Sequence, residues 1–367
     1  MRLILVALLA MLATACAPTR RGNLIAAREA DHGLLDGTFA TLDADIARAD
    51  RDGPIVGGQL AIAHNGALVY SNTFGSVGMA EKSPPIDRAT LFDTASLAKP
   101  LAGVPLSILL DGKHPGDARV GVLRMHRGGL DDEVVMPTLR ELILSDGVSS
   151  LLNGLRNRGC YRYANSGYVL IGLFAAEFKE ERLRDDFWNP LGGDSITFAP
   201  SQSSQVAVSG VDKAGNALAG QPYDPLAAFM LESGVGLPAH SGLFATAESI
   251  ALVVSRLEAE SGGPRGEWRR LLLGPVTSLP RCDGFGSIWI TEGGMISPTT
   301  LPYAPDLSIP GRIRYHTGYT GCLLWIDSRS GMTMALLTNA SLTDSTAEFE
   351  ALSRRLVMRI LQGSRQD

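Results

Sequence analysis

Apolar residues recur along this chain with two different periods. Leu35, Phe39, Leu42 and Ile46 fall on one helical face before Arg51-Asp52-Gly53-Pro54 ends the run, which predicts an amphipathic helix of about four turns. Two β-prone runs follow, Gly58 to His64 and Ala67 to Phe74. Asn65-Gly66 joins them, a pair that tolerates positive φ at both centres of a type I′ turn, so a hairpin is predicted. A second hairpin is expected near the C-terminus, from Gly321 to Asp327 and Met332 to Asn339 around Ser328-Arg329-Ser330-Gly331. A last helix then carries Phe349, Leu352, Leu356 and Ile360 on one face, opened by a Ser345/Glu348 capping box and ended at Gly363.

Isolated hairpins are marginally stable. Joined edge to edge into one antiparallel sheet and covered by the first and last helices, these two would bury a continuous core. Between about residues 97 and 260 the pattern is helical instead, over Leu101 to Leu110, Thr138 to Leu144, Tyr168 to Phe178 and Ala247 to Leu257, with a Gly/Ser/Pro-rich stretch at 192–222. The expected fold class is α+β: an antiparallel sheet flanked by N- and C-terminal helices, with a helical lobe inserted. No internal repeat is visible.

Composition narrows the possibilities. With 367 residues, 45% apolar and 19% charged, the chain builds a core easily, and disorder is excluded. The net charge of −5 and the lack of a basic tract beyond Arg20-Arg21 exclude nucleic acid as a partner. Leu3 to Ala15 is apolar or small, shorter than the roughly 20 residues that span a bilayer, and ends in the small-x-small pattern Ala13-Thr14-Ala15. Residues 1–15 therefore read as a signal peptide. Cys16 follows at once and resembles the lipidated cysteine of bacterial lipoproteins, although Ala13 stands where Leu is usual. Residues 16–30 read as a tether, and an exported periplasmic or cell-envelope location is expected, with contact to the membrane only through the N-terminal lipid. In an oxidising compartment at most one disulfide can form among Cys160, Cys282 and Cys322. Cys160 is expected to be a buried inert thiol, and stability to be independent of disulfides.

Three segments carry candidate chemistry. In Phe92-Asp93-Thr94-Ala95-Ser96-Leu97-Ala98-Lys99-Pro100, a helix opening near Ser96 would put Lys99 one turn later on the same face. A serine hydroxyl needs a base, and a lysine serves as one only when its surroundings pull its pKa down from about 10.4. In Tyr161-Arg162-Tyr163-Ala164-Asn165-Ser166, Tyr163 offers a phenol that passes protons, and the Asn165 amide can accept from Lys99 and donate to a substrate carbonyl. In Tyr315-His316-Thr317-Gly318-Tyr319, Gly318 lets substrate approach the chain, and the Tyr319 N–H could pair with that of Ser96 at a developing oxyanion. The chain has no Gly-x-Ser-x-Gly elbow and no metal-binding His/Cys pattern, so no metal or other cofactor is implied. His240 reads as structural, and His32, His64, His114 and His126 as surface or turn residues.

Ser-x-x-Lys at 96, Tyr-x-Asn at 163 and His-Thr-Gly at 316, in this order and with TLFDTASLAKP, YANSGYVLIGLF and HTGYTGCLLWID around them, resemble the class C β-lactamase and penicillin-binding serine hydrolase family over roughly residues 35–362. The resemblance implies a β-lactamase/transpeptidase-like fold over about 31–363. Its α/β lobe would take about 31–96 and 240–363, its helical lobe about 97–239, with the site between them. It implies Ser96 as acylated nucleophile, Lys99 as its base and Tyr163 as proton shuttle, with Asn165, His316, Thr317, Gly318 and Tyr319 at the substrate. His316 stands where β-lactamases carry Lys, and an imidazole of pKa about 6.5 is only about one-tenth charged near pH ~7.5. A substrate carboxylate is then held weakly unless Arg312 or Arg314 points inward, which shifts the expectation toward esterase or non-classical peptidase activity, on small esters or amides related to β-lactams or cell-wall D-peptides. A binding protein that recognises penicillin or cell-wall peptide without turnover is the alternative reading.

Overall fold

The computed structural model describes residues 24–25, 28–113, 118–145, 147–148, 155, 157–284, 286–297 and 311–364. The expected signal peptide, Cys16 and His114 lie outside these residues. The elements in chain order begin with β1 (Leu24–Ile25), α1 (Thr38–Asp52), β2 (Gly57–His64), β3 (Ala67–Gly75) and β4 (Phe92–Asp93). The helices α2 (Val104–Lys113), α3 (Ala118–Arg124), α4 (Asp132–Leu144), α5 (Asn165–Phe174) and α6 (Pro225–Ser233) follow. The chain then returns through β5 (Phe244–Ala245), α7 (Ala247–Leu257), α8 (Gly263–Leu273), β6 (Val276–Pro280), β7 (Ser287–Thr291) and β8 (Ile296–Ser297). It closes with β9 (Ile313–Gly318), β10 (Cys322–Asp327), β11 (Met332–Thr338) and α9 (Thr346–Gly363).

The two hairpins expected from the sequence form and join edge to edge: β2 pairs antiparallel with β11, placing Ala61 opposite Ala335. Asn65 and Gly66 both take positive φ, 49° and 82°, as the tight turn demands. The sheet is larger than expected, with nine antiparallel strands among the described residues in the order β1-β3-β2-β11-β10-β9-β8-β7-β6. Strand β9 carries the His316 segment and pairs antiparallel with β10, ahead of the expected hairpin. Leu24–Ile25, inside the expected tether, pairs with β3.

Strand alternation sorts the core into two layers. Leu60, Ile62, Trp325, Met334 and Leu336 face α1 and α9 with Leu42, Ile46, Leu356 and Ile360. Ala61, Ala63, Leu324, Ile326, Ala335 and Leu337 face the opposite way, toward Ile250, Val254 and Trp268. Ser345 does precede α9, but its side chain makes no capping bond and meets the Thr343 hydroxyl at 2.8 Å, so the capping box does not form.

The stretch read as a helix from Leu101 opens irregularly. A π-helical turn, Lys99–Gly103, precedes α2, and the Val104 N–H reaches back five residues to the Lys99 carbonyl. Pro105 has no N–H, and the change from π to α spacing skips a further acceptor, so helix N–H groups do not serve both Pro100 O and Leu101 O. Two fully buried indoles replace the missing donor: Trp268 Nε1 donates to Pro100 O at 3.0 Å and Trp188 Nε1 to Leu101 O at 2.8 Å. Aromatic side chains from two distant segments thus hold the turn that carries Lys99.

A second tie joins residues far apart in sequence. Cys160 and Cys282 form a disulfide, correcting the expectation of a buried thiol, and Cys322 stays free and buried. The bridge closes a 122-residue separation, so it restricts the unfolded chain and contributes about 2–4 kcal/mol. Trp188→Phe and Trp268→Phe should each lower unfolding free energy by about 1–3 kcal/mol in urea titration, because each leaves a buried carbonyl without its donor. Losses below about 0.5 kcal/mol in both would mean that other donors replace the indoles.

Candidate active site

Ser96 sits on a 3-10 turn, Ala95–Leu97, directly after β4. Ala95 takes φ 45°, a left-handed conformation that costs free energy in a residue with a side chain. The surroundings enforce it. The Asp93 carboxylate accepts the Ala95 N–H at 2.8 Å and the Tyr223 N–H at 2.7 Å, and the Asp93 carbonyl accepts from Thr320 Oγ1 at 2.7 Å. Thr94 bonds to Leu243 O through both its N–H and its hydroxyl. Burial pushes the Asp93 carboxyl up to about 6.

Lys99 is fully buried, and its Nζ lies 2.9 Å from Ser96 Oγ, 2.8 Å from Asn165 Oδ1 and 3.0 Å from the His240 carbonyl. Tyr163 OH lies 2.9 Å from the same Ser96 Oγ. The nitrogen also stands over the rings of Tyr163 and Tyr168, at 4.9 and 5.7 Å from their centroids. Ser96 is half-buried and Tyr163 is 38% exposed, so the hydroxyl pair faces solvent while the amine does not. Asn165 opens α5. Asp132, at the start of α4, accepts the Asn165 N–H at 2.5 Å, the Ser166 N–H at 3.0 Å and the Ser166 hydroxyl at 2.6 Å, supplying from a distance the cap that Ala164 cannot. The Asn165 side chain is thereby left for Lys99.

Strand β9 closes the arrangement. A Cβ on Gly318 would come within 2.3 Å of Thr94 O, so only glycine lets β9 approach the Ser96 turn this closely. Tyr319 follows it, with an exposed ring packed on Tyr223 at 5.4 Å between centroids. Thr317 is exposed, whereas His316 is buried with its Nδ1 2.9 Å from the Thr317 carbonyl, which fixes the hydrogen on Nδ1. Burial and the nearby Lys99 push His316 down to about 3, so it is neutral.

Neither arginine compensates. Arg312 forms a two-point pair with Asp327 at 2.9 and 2.8 Å, and Arg314 is buried against Ser328 and Gly274 O. A cavity of about 740 Å³ opens beside Tyr163, His316 and Thr317, and Arg162 and Arg281 also line it. Both are already paired, with Asp131 and Asp283 respectively.

The structure therefore brings Ser96, Lys99, Tyr163 and Asn165 into one cluster, with His316, Thr317 and Gly318 on the adjoining strand and Tyr319 directly after it. His240 reaches the site through its backbone, while its ring meets Asp224 at 3.2 Å. Three participants escaped the sequence: Asp93, Asp132 and His126. His126 does lie in a turn, but it is buried and stacks on the Tyr163 ring at 4.6 Å, correcting its expected place at the surface. His32 and His64 are half-buried and bonded to each other at 2.8 Å.

The chain matches the Beta-lactamase family model over residues 42–359 and belongs to that family. Similar solved structures include EstCE1, described as a hydrolase with promiscuous acyltransferase activity, at 18% identity and TM-score 0.65, covering 88% of this chain and 98% of that one. Simvastatin synthase (LovD) from Aspergillus terreus is 16% identical at TM-score 0.66, covering 90% and 99%. D-alanine carboxypeptidase AmpC from Burkholderia cenocepacia is 16% identical at TM-score 0.62, covering 89% and 99%. No curated protein matches the sequence.

A neutral His316 makes a testable statement about pH. The ratio of kcat/KM for a carboxylate-bearing ester to that for its neutral isostere should stay constant between about pH 5 and 8. A ratio that climbs on acidification through about 6.5 would mean that the imidazole takes up a proton and holds the anion.

Proposed function

We propose that the protein is an exported serine hydrolase that forms an acyl-enzyme on Ser96 and acts on small esters or peptide-like amides lacking a carboxylate beside the scissile bond. The observation that carries this reading is the contact of one hydroxyl, Ser96 Oγ, with both a buried amine and a phenol at 2.9 Å each. Lys99 turns a lone pair to the Ser96 O–H while its hydrogens point to Asn165 Oδ1 and His240 O. It takes that proton as Oγ attacks the carbonyl carbon, and the resulting ammonium still satisfies all three neighbours.

The tetrahedral oxyanion is held by the N–H groups of Ser96 and Tyr319. On collapse the bond to the leaving group breaks and Tyr163 hands that group a proton, which the Lys99 ammonium then replaces. Water then attacks the ester on Ser96 and gives a proton to Tyr163 and Lys99, which return one to Ser96 Oγ as its bond to the acyl carbon breaks and the acid leaves. Substrate choice follows from the neutral His316 and the diverted Arg312 and Arg314, which leave no unpaired cation among the described lining residues for a substrate carboxylate. Export is supported by the apolar N-terminal run ending in Ala13-Thr14-Ala15 and by a disulfide of the kind formed in oxidising compartments. Cys16 would then carry a lipid and hold the protein at the cell envelope.

Ser96→Ala should lower kcat on a nitrophenyl ester by about four orders of magnitude without changing the fold, and activity retained in that variant would overturn the assignment. His316→Lys should shift kcat/KM toward carboxylate-bearing substrates by about tenfold, the equivalent of roughly 1.4 kcal/mol of charge pairing. An unchanged ratio would show that position 316 does not set this preference.

A further inference from the structure

Tyr163 aims its phenol at Ser96 from a segment, residues 157–164, that has neither helix nor extended strand of its own. His126 grips that segment on both sides of the tyrosine. Its carbonyl accepts the Arg162 N–H at 3.0 Å, and its ring Nδ1 accepts the Ala164 N–H at 3.1 Å. Between these two bonds its ring lies 4.6 Å from the Tyr163 ring, at an interplanar angle of 29°. The residue before, the residue after and the ring itself are all held by one side chain and its carbonyl. His126 does this from a left-handed conformation, φ 55°, at the end of α3.

We infer that His126 is a positioning residue for proton transfer at Tyr163: it sets the phenol against Ser96 without touching substrate. The inference rests on the role given to Tyr163 above. A histidine that merely filled space would be a poor choice here. Because Nδ1 accepts, the hydrogen sits on Nε2, and Nε2 is buried with no partner among the described residues. An apolar ring would fill the same volume without that unmet donor. What the imidazole adds is an acceptor for Ala164 N–H on a flat face that stacks. The grip also requires a neutral ring, since a protonated one would turn an N–H toward the Ala164 N–H. Burial first, then Lys99 and His316, hold His126 well below the usual histidine range. Tyr161 and Tyr168, at 5.6 and 5.3 Å, pack against the ring and fix its place.

The test compares two esters of one acid, a 4-nitrophenyl ester whose leaving group departs unprotonated and an ethyl ester whose alkoxide needs a proton. His126→Phe keeps a stacking ring without the acceptor, and His126→Asn restores an acceptor without the ring. His126→Phe should lower kcat/KM on the ethyl ester by about 100-fold and on the nitrophenyl ester by less than about fivefold, with His126→Asn between wild type and His126→Phe. Neither change should add further loss on the ethyl ester to Tyr163→Phe, because a residue that acts through Tyr163 has nothing left to position. Equal losses on the two esters, no loss on either, or full additivity with Tyr163→Phe would overturn the inference, and should His126→Phe not fold, His126→Asn carries the same comparison. A wild-type protein that is folded yet hydrolyses neither ester would instead overturn the hydrolase reading itself.

Discussion

An amine cannot be buried in a protein without oxygen atoms to receive its hydrogens, and the site is organised around this requirement at Lys99. Its three oxygen partners come from three separate stretches of chain: the turn after β4, the first residue of α5 and the loop before β5. Supplying them brings the inserted helices and the sheet together at one nitrogen. The neighbouring structure serves the same point. The π-turn places Lys99 one turn beyond Ser96, and the indoles of Trp188 and Trp268 donate to the carbonyls of Leu101 and Pro100 within it. Asp93 and Thr94 hold the unfavourable backbone at Ala95, and Gly318 allows β9 to close against it.

Charge near the reacting hydroxyl is handled by the same economy. Asp132 is committed to the start of α5, and Arg312, Arg162 and Arg281 each face a carboxylate. Arg314 is buried among a hydroxyl and a carbonyl, and His316 is neutral. Tyr163, His316 and Thr317 thus adjoin a cavity whose lining arginines are already occupied. Neutral carbonyl compounds suit such a surface better than anions, because a substrate carboxylate would give up water there without gaining an unpaired partner.

Much of this was legible in the sequence wherever a local rule decided the outcome. Asn65-Gly66 dictated a tight turn, the apolar face of α7 appeared with the observed ends Ala247 and Leu257, and the pairing of Ser96 with Lys99 followed from helical spacing. Strands β6 to β8 stayed hidden because they are short, five, five and two residues, and show no clear alternation of buried and exposed positions. The Cys160–Cys282 bridge was one of several possible pairings, and only tertiary structure selects among them. His126 and Asp132 act on backbone groups about 30 residues further along the chain, a relation without any spacing rule. The capping box failed at Ser345 because the Thr343 hydroxyl captured its side chain first.

The central claim is that Lys99 removes the proton from Ser96 so that this one hydroxyl becomes covalently acylated. Peptide-mapped mass spectrometry after a brief reaction with a fluorophosphonate tests it most directly, with wild type and a folded Lys99→Ala variant side by side. The account predicts a single adduct, on Ser96, that forms in wild type and at least about 100-fold more slowly without the amine. An adduct on another residue, or equal labelling rates in the two proteins, would contradict it.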